Sequence, residues 1–192
     1  MQTTRGTSLS DESDTPVPRR GRHTLAVWAA VAAAAYGLDQ LTKWWAEHSL
    51  TEGQSTQLVG DWLRLTLSHN AGAAFSTGTS YTFVLTLVAL AVIAVCIRMA
   101  RRLGSVGWAV ALGLVLGGSL GNVTDRIFRA PSPFRGHVVD FLQVPHWPIF
   151  NVADSSISVA AVLFVALSIR GVHLDGSVDG AIEPAEGASG AS

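Results

Sequence analysis

Asp140 and Asp154 stand fourteen positions apart in the stretch VVDFLQVPHWPIFNVADSSI, with no lysine or arginine between them. Asp140 lies in an apolar pentapeptide, HVVDF, and its nearest basic residue is Arg135; Asp154 leads into an apolar run. A lone aspartate near a bilayer centre costs about 2.5–3.5 kcal/mol on insertion scales, so such residues mark function. Two carboxylates held close cannot both ionise, and the pair shares a proton. The ionised member takes a proton from water while the protonated member polarises a scissile carbonyl. That chemistry hydrolyses an amide without a covalent intermediate or a metal. On this reading the two carboxylates lack basic partners because each is the other's partner.

Other hydrolytic schemes find less support. Cys96 sits inside an apolar run with no base near it in sequence, so its thiol lacks activation. There is no HExxH, and His69, His137 and His146 do not have metal-ligand spacing. There is no GxSxG elbow for a serine nucleophile. Neither a metal nor another cofactor is expected.

More polar residues cluster at corresponding ends of four apolar segments. They are Asp39, Gln40 and Lys43 in the first; His69 and Asn70 just before the second; Asn122, Asp125 and Arg126 closing the third; and Asn151 and Asp154 opening the fourth. Each has a plainer reading. Asp39 and Lys43 are i and i+4 on a helix and can form a structural ion pair. Asp125 and Arg126 could form an interfacial pair. Asn70, Asn122 and Asn151 could cap helices or hold turns, and Asp154 suits a first helical turn. A proton channel or transporter would need ionisable groups through the membrane depth or on both faces, whereas these gather on one.

The segments themselves are Thr24–Trp45, Tyr81–Ile97, Val106–Asn122 and Val152–Ile169. Spanning a bilayer takes about 20 apolar residues as a helix, with a range of about 17–25, and the cores of these runs have no charged face. The whole chain of 192 residues is 48% hydrophobic and only 14% charged, against about 25% charged in soluble domains. These features predict an α-helical integral membrane protein with four transmembrane helices. A net charge of −1 excludes general attraction to nucleic acid. Gly113, Gly117, Gly118 and Gly121 read as one side of the third helix, open to a close neighbour.

Basic residues set the orientation. Eight of them, Arg5, Arg19, Arg20, Arg22, Arg98, Arg101, Arg102 and Arg170, fall on the side of the termini and the 98–105 loop; Lys43, Arg64, Arg126, Arg129 and Arg135 fall on the other. Both termini are therefore expected in the cytoplasm. A cleavable signal peptide over the first segment is the rival, but its polar far end makes sense only if retained. Leu63, Leu65 and Leu67 alternate with polar residues after a Gly60-Asp61 turn, which predicts a small extracytoplasmic β-sheet edged by Trp44, Trp45 and Trp62. The 123–151 connection, with four prolines, is expected to be irregular. Residues 1–22 and 171–192 are too polar to offset their ordering entropy and read as disordered cytoplasmic tails, leaving 23–170 as the membrane domain.

The chain resembles bacterial lipoprotein signal peptidase (signal peptidase II), a four-span aspartic protease. The resemblance rests on D-x-x-T-K at Asp39–Lys43, N-A-G-A-A-F at Asn70–Phe75 and G-G-x-x-G-N-x-x-D-R at Gly117–Arg126. V-V-D-F at Val138–Phe141 and W-P-x-F-N-x-A-D at Trp147–Asp154 complete it. It implies Asp140 and Asp154 as the catalytic pair, with Asp39, Lys43, Asn70, Asn122, Asp125, Arg126 and Asn151 shaping the site or positioning substrate. It further implies a bacterial cell-membrane enzyme acting, as a monomer among membrane lipids, on prolipoproteins whose cysteine carries diacylglycerol. The first outward connection would be the family's β-cradle. Two features depart from the family's pattern: long polar tails, and a short inter-aspartate segment preceded by an insertion at Ala130–Arg135.

Overall fold

The computed structural model describes residues 19–72 and 80–179. Residues 1–18 and 180–192 of the expected tails lie outside the described residues, as do Ala73, Ala74 and Phe75 of the N-A-G-A-A-F motif. Seven elements follow in order: α1 (Arg19–Ser49), β1 (Ser55–Val59), β2 (Leu63–Asn70), α2 (Ser80–Ala100), α3 (Val106–Phe128), β3 (Val138–Gln143) and α4 (Val152–Ile169). All four helices are long and apolar enough to cross a membrane.

Helix α3 is central and packs against α1, α2 and α4. Its glycines make this possible, although they serve two neighbours rather than one side. A Cβ on Gly113 or Gly117 would run into α1 backbone at Trp28 or Ala32, while one on Gly118 would meet Ala153 of α4. The core between α1, α2 and α3 is built from Ala32, Cys96, Ala100, Leu103, Ala109, Leu112 and Leu116. On α2 and α4 the large apolar side chains Val84, Leu87, Val88, Val162, Val165 and Ile169 remain exposed, as lipid-facing surfaces require.

Helix α3 runs six residues beyond the expected end at Asn122. The polar residues there do not stop it, because Asp125 is satisfied by cations from α1 and from the end of α3 itself. The 123–151 connection was expected to be irregular, but it contains β3. The apolar run VVDFLQ is satisfied by pairing with β2, a distant partner that local pattern cannot announce. The sheet is antiparallel in the order β1-β2-β3. Ser68, His69 and Asn70 face Asp140, Val139 and Val138. Gly60 takes a positive φ of 50° at the β1–β2 turn, where a side chain would be strained. Beneath the sheet, Leu65, Leu67, Val139 and Phe141 pack on Ala46 of α1.

Order also extends past two expected boundaries. Helix α1 begins at Arg19. Residues 171–179, placed in the C-terminal tail by composition, fold back on the α2–α3 loop. The Leu174 carbonyl accepts from Gly104 N and Ser105 N at 2.9 and 3.1 Å, and Trp108 Nε1 donates to the Val172 carbonyl at 2.8 Å. Backbone partners anchor this segment despite its polar side chains.

Candidate active site

Asp140 is the third residue of β3 and Asp154 the third of α4. Asn151 caps α4: its side-chain oxygen accepts from Asp154 N at 2.9 Å, and Asp154 Oδ2 accepts from Asn151 N at 3.2 Å. This reciprocal capping leaves the Asn151 amide nitrogen free for other partners. It donates to Asp140 Oδ1 at 2.7 Å, so one asparagine touches both carboxylates.

Two more asparagines finish the arrangement. Asn70, at the end of β2, donates to Asp140 Oδ2 at 2.9 Å. Asn122 of α3 donates to Asp154 Oδ1 at 2.9 Å. Each of the four carboxylate oxygens thus accepts from an amide. Neutral donors orient a carboxylate without imposing the ionised form as strongly as a cation would. Asp140 is 2% exposed. Burial, first, pushes its carboxyl up to about 6; the Asn70 hydrogen bond opposes this and the Asp154 charge adds to it. Asp154 is less enclosed and lines an open cavity of about 400 Å³ with Val144, Trp147, Phe150, Ser155, Ser158 and Val159.

A fully buried ionic cluster supports the pair. Lys43 Nζ lies 2.8 Å from Asp39 Oδ2 and 2.7 Å from Asp125 Oδ2, and it donates to Asn122 Oδ1 at 3.0 Å. Asp39 Oδ1 accepts from Ala153 N at 2.9 Å, and Asp125 Oδ2 accepts from Val139 N at 3.3 Å. Ala153 and Val139 immediately precede Asp154 and Asp140. One lysine between two aspartates therefore fixes both backbone points from which the paired carboxylates project.

The structure brings together the nine residues that the resemblance assigned to the site. The Asp39–Lys43 ion pair exists, but as part of this larger cluster. Asp125 does not pair with its neighbour Arg126; its partners are Lys43 and Arg129. Arg126 instead feels the charges of Asp140 and Asp154 as well as that of Asp125. Its Nη1 is buried without a hydrogen-bond partner among the described residues. Sequence reasoning missed Glu47 and Arg129, which extend the cluster outward. The signal was present: Asp39, Lys43 and Glu47 are spaced i, i+4, i+8, and Asp125 and Arg129 i, i+4.

A family model described as Signal peptidase (SPase) II matches residues 31–170, a stretch that contains every residue of this site. The chain belongs to the signal peptidase II family. It is therefore a peptidase, and its four apolar helices make it a multi-pass membrane protein. Among its relatives is a lipoprotein signal peptidase of Streptomyces coelicolor, 49% identical over 163 residues, covering 85% of this chain and 80% of that one. Another, from Mycobacterium avium, is 52% identical over 158 residues, covering 82% and 85%. A bacterial membrane enzyme solved by the in meso method at 1.9 Å resolution shares the fold, with a TM-score of 0.68. It is 24% identical and covers 76% of this signal peptidase II and 94% of its own chain.

Proposed function

We propose that this signal peptidase II removes the signal peptide from prolipoproteins by cutting on the N-terminal side of a diacylglyceryl-modified cysteine. Asp140 and Asp154 act as a non-covalent aspartic dyad. The observation that carries this reading is Asn151, which donates to Asp140 while capping the helix turn that holds Asp154. Carboxylates from a strand and from the helix that follows it are thereby held on one asparagine, Asp140 by its side-chain amide and Asp154 by its backbone N–H.

Asp140, buried and with its pKa pushed up to about 6, suits the protonated member. Asp154, in the first turn of α4, suits the ionised member, because the helix N-terminus favours negative charge there. Asp154 takes a proton from water as the water oxygen attacks the scissile carbonyl carbon. Asp140 donates its proton to the carbonyl oxygen. Collapse of the tetrahedral intermediate returns that proton to Asp140, while Asp154 delivers its own to the leaving amine as the C–N bond breaks. Arg126, whose buried Nη1 has no hydrogen-bond partner among the described residues, can bind substrate carbonyl oxygen close to the pair. The cavity beside Asp154 is walled by Trp147, Phe150 and Val159 and suits a substrate that stays partly in lipid.

The excess of basic residues on the side of the termini supports a bacterial cell-membrane location with both termini cytoplasmic and the dyad at the outer leaflet. The enzyme would act there as a monomer. The test is cleavage of a diacylglyceryl-modified prolipoprotein in detergent by wild type, Asp140→Asn and Asp154→Asn. Wild type should cut, and each well-folded variant should lose at least about a thousandfold in kcat, the scale seen when members of a catalytic unit are removed. Full activity in either variant would sink the dyad.

A further inference from the structure

Beyond the motif residues, a second pair of charges reaches the site. Arg129 Nε lies 2.7 Å from Asp125 Oδ1, and its Nη1 pairs with Glu47 of α1. Arg129 Nε thus occupies the one Asp125 oxygen that neither Lys43 nor Val139 N uses. The chain of charges runs Glu47, Arg129, Asp125, Lys43, Asp39, and touches the backbone beside both paired aspartates. Its outer end is half-open: Arg129 is 25% and Glu47 28% exposed, and both line a cavity with His69 and His137. Burial works against the Arg129 charge, but its bonds to Glu47 and Asp125 outweigh this and raise its pKa above the ordinary value.

The geometry points to Arg129, held in place by Glu47, as a positioning residue for peptide cleavage: it fixes the rotation of the Asp125 carboxylate, which in turn fixes strand β3 at Asp140. Lys43 binds one Asp125 oxygen only and leaves the carboxylate able to turn about its Cβ–Cγ bond. A guanidinium on the other oxygen removes that freedom, and its planar fork allows Nε to hold Asp125 while Nη1 holds Glu47. Without it Asp125 can swing from Val139 N. The Asp140 carboxyl then drifts from its alignment with Asp154, and misplacement by about 1 Å can cost about a hundredfold in rate. Neither Arg129 nor Glu47 lines the cavity beside Asp154, so substrate affinity should hold. Neither Glu47 nor Arg129 belongs to a motif that carried the family resemblance, and Arg129 directly precedes the Ala130–Arg135 insertion.

This inference rests on the dyad reading, and its test separates the two. Arg129→Gln, Arg129→Lys, Glu47→Gln and the double variant are assayed for kcat and KM on lipidated substrate, with Arg135→Gln as a surface control. Hydrogen–deuterium exchange of the β3 peptide is measured in parallel. Arg129→Gln should lower kcat about ten- to a hundredfold, leave KM within about twofold, and speed exchange at Val139. Glu47→Gln should do the same more weakly. The double variant should lie close to Arg129→Gln alone, because Arg129 is the partner through which Glu47 reaches Asp125, its contact with His69 being a longer one at 3.8 Å. Arg129→Lys should recover only part of kcat, since an ammonium cannot hold both carboxylates in one plane. Unchanged kcat and unchanged exchange in Arg129→Gln would overturn the proposal. So would a joint fall in kcat, substrate affinity and melting temperature, which marks general structural damage; Glu47→Gln keeps the question open to test if Arg129→Gln does not fold. Wild type and Asp140→Asn in the same assay carry the dyad reading separately: cleavage by the first and none by the second upholds it whatever the Arg129 variants do.

Discussion

At the scale of single residues, Asp140 carries a pH signature. Its folded pKa of about 6 lies above the unfolded value near about 3.9, so the folded state keeps its proton to higher pH. Its contribution to stability is therefore most favourable below about pH 4 and declines as pH rises through about 6, by an amount on the order of 3 kcal/mol. Asp140→Asn has no proton to lose, so its melting temperature relative to wild type should climb between about pH 4 and about pH 7. A difference independent of pH would mean that Asp140 titrates normally. In the proposed mechanism the same proton governs the reaction, so kcat/KM should fall on the alkaline side with an apparent pKa of about 6, reporting the pair rather than either member alone. Lys43 makes a different prediction. Lys43→Met leaves Asp39 and Asp125 buried without their shared cation, which should cost about 3–5 kcal/mol in detergent unfolding. The aspartate pair was legible in the sequence because two carboxylates stood in apolar surroundings without cations. The asparagines were ambiguous, since capping and carboxylate binding demand the same residue type, and Asn151 turns out to do both with different atoms of one side chain.

At the scale of elements, the helices were written in composition and the third strand was not. Residues Val152–Ile169 form α4 as expected, because a bilayer span is a local property of twenty residues. Strand β3 is six residues whose stability depends on β2, some seventy positions away. Register matters as much as existence: Asp140 faces Ser68, with Asn70 two residues on along β2, which is what brings the Asn70 amide to its carboxylate. The packing of α3 makes a test. A Cβ on Gly121 would collide with the Asp39 carboxylate, pushing it off Lys43 and Ala153 N. Gly121→Ala should therefore cost about 1–3 kcal/mol and most of the activity, while the N–H of Ala153 should exchange faster. Gly37, whose Cβ would meet nothing within 4 Å, is the matched control: Gly37→Ala should be neutral or slightly stabilising through helix propensity. A Gly121→Ala variant as stable and active as Gly37→Ala would show that helix α3 tolerates the extra methyl and that the Asp39 contact is unimportant.

At the scale of the whole molecule, an apolar bundle carries a polar cap, and the two are joined by an ionic cluster that no single span contains whole. This could be anticipated in outline from the gathering of polar residues at one end of four spans. The connections among them could not, because Lys43 reaches Asp125 across 82 positions of chain. Another consequence concerns how such a protein reaches its place. In the proposed topology the outward end of α1 must cross the hydrocarbon during synthesis, before α3 exists to supply Asp125. Lys43 makes that passage with Asp39 one helical turn away, so the span is threaded as a neutral pair instead of a bare ammonium. The aspartate thus serves as an escort during biogenesis before it becomes a strut in the finished enzyme. Asp39→Asn should accordingly lower the fraction of α1 that inserts in a membrane-translation assay, and Asp39→Asn combined with Lys43→Gln should restore it.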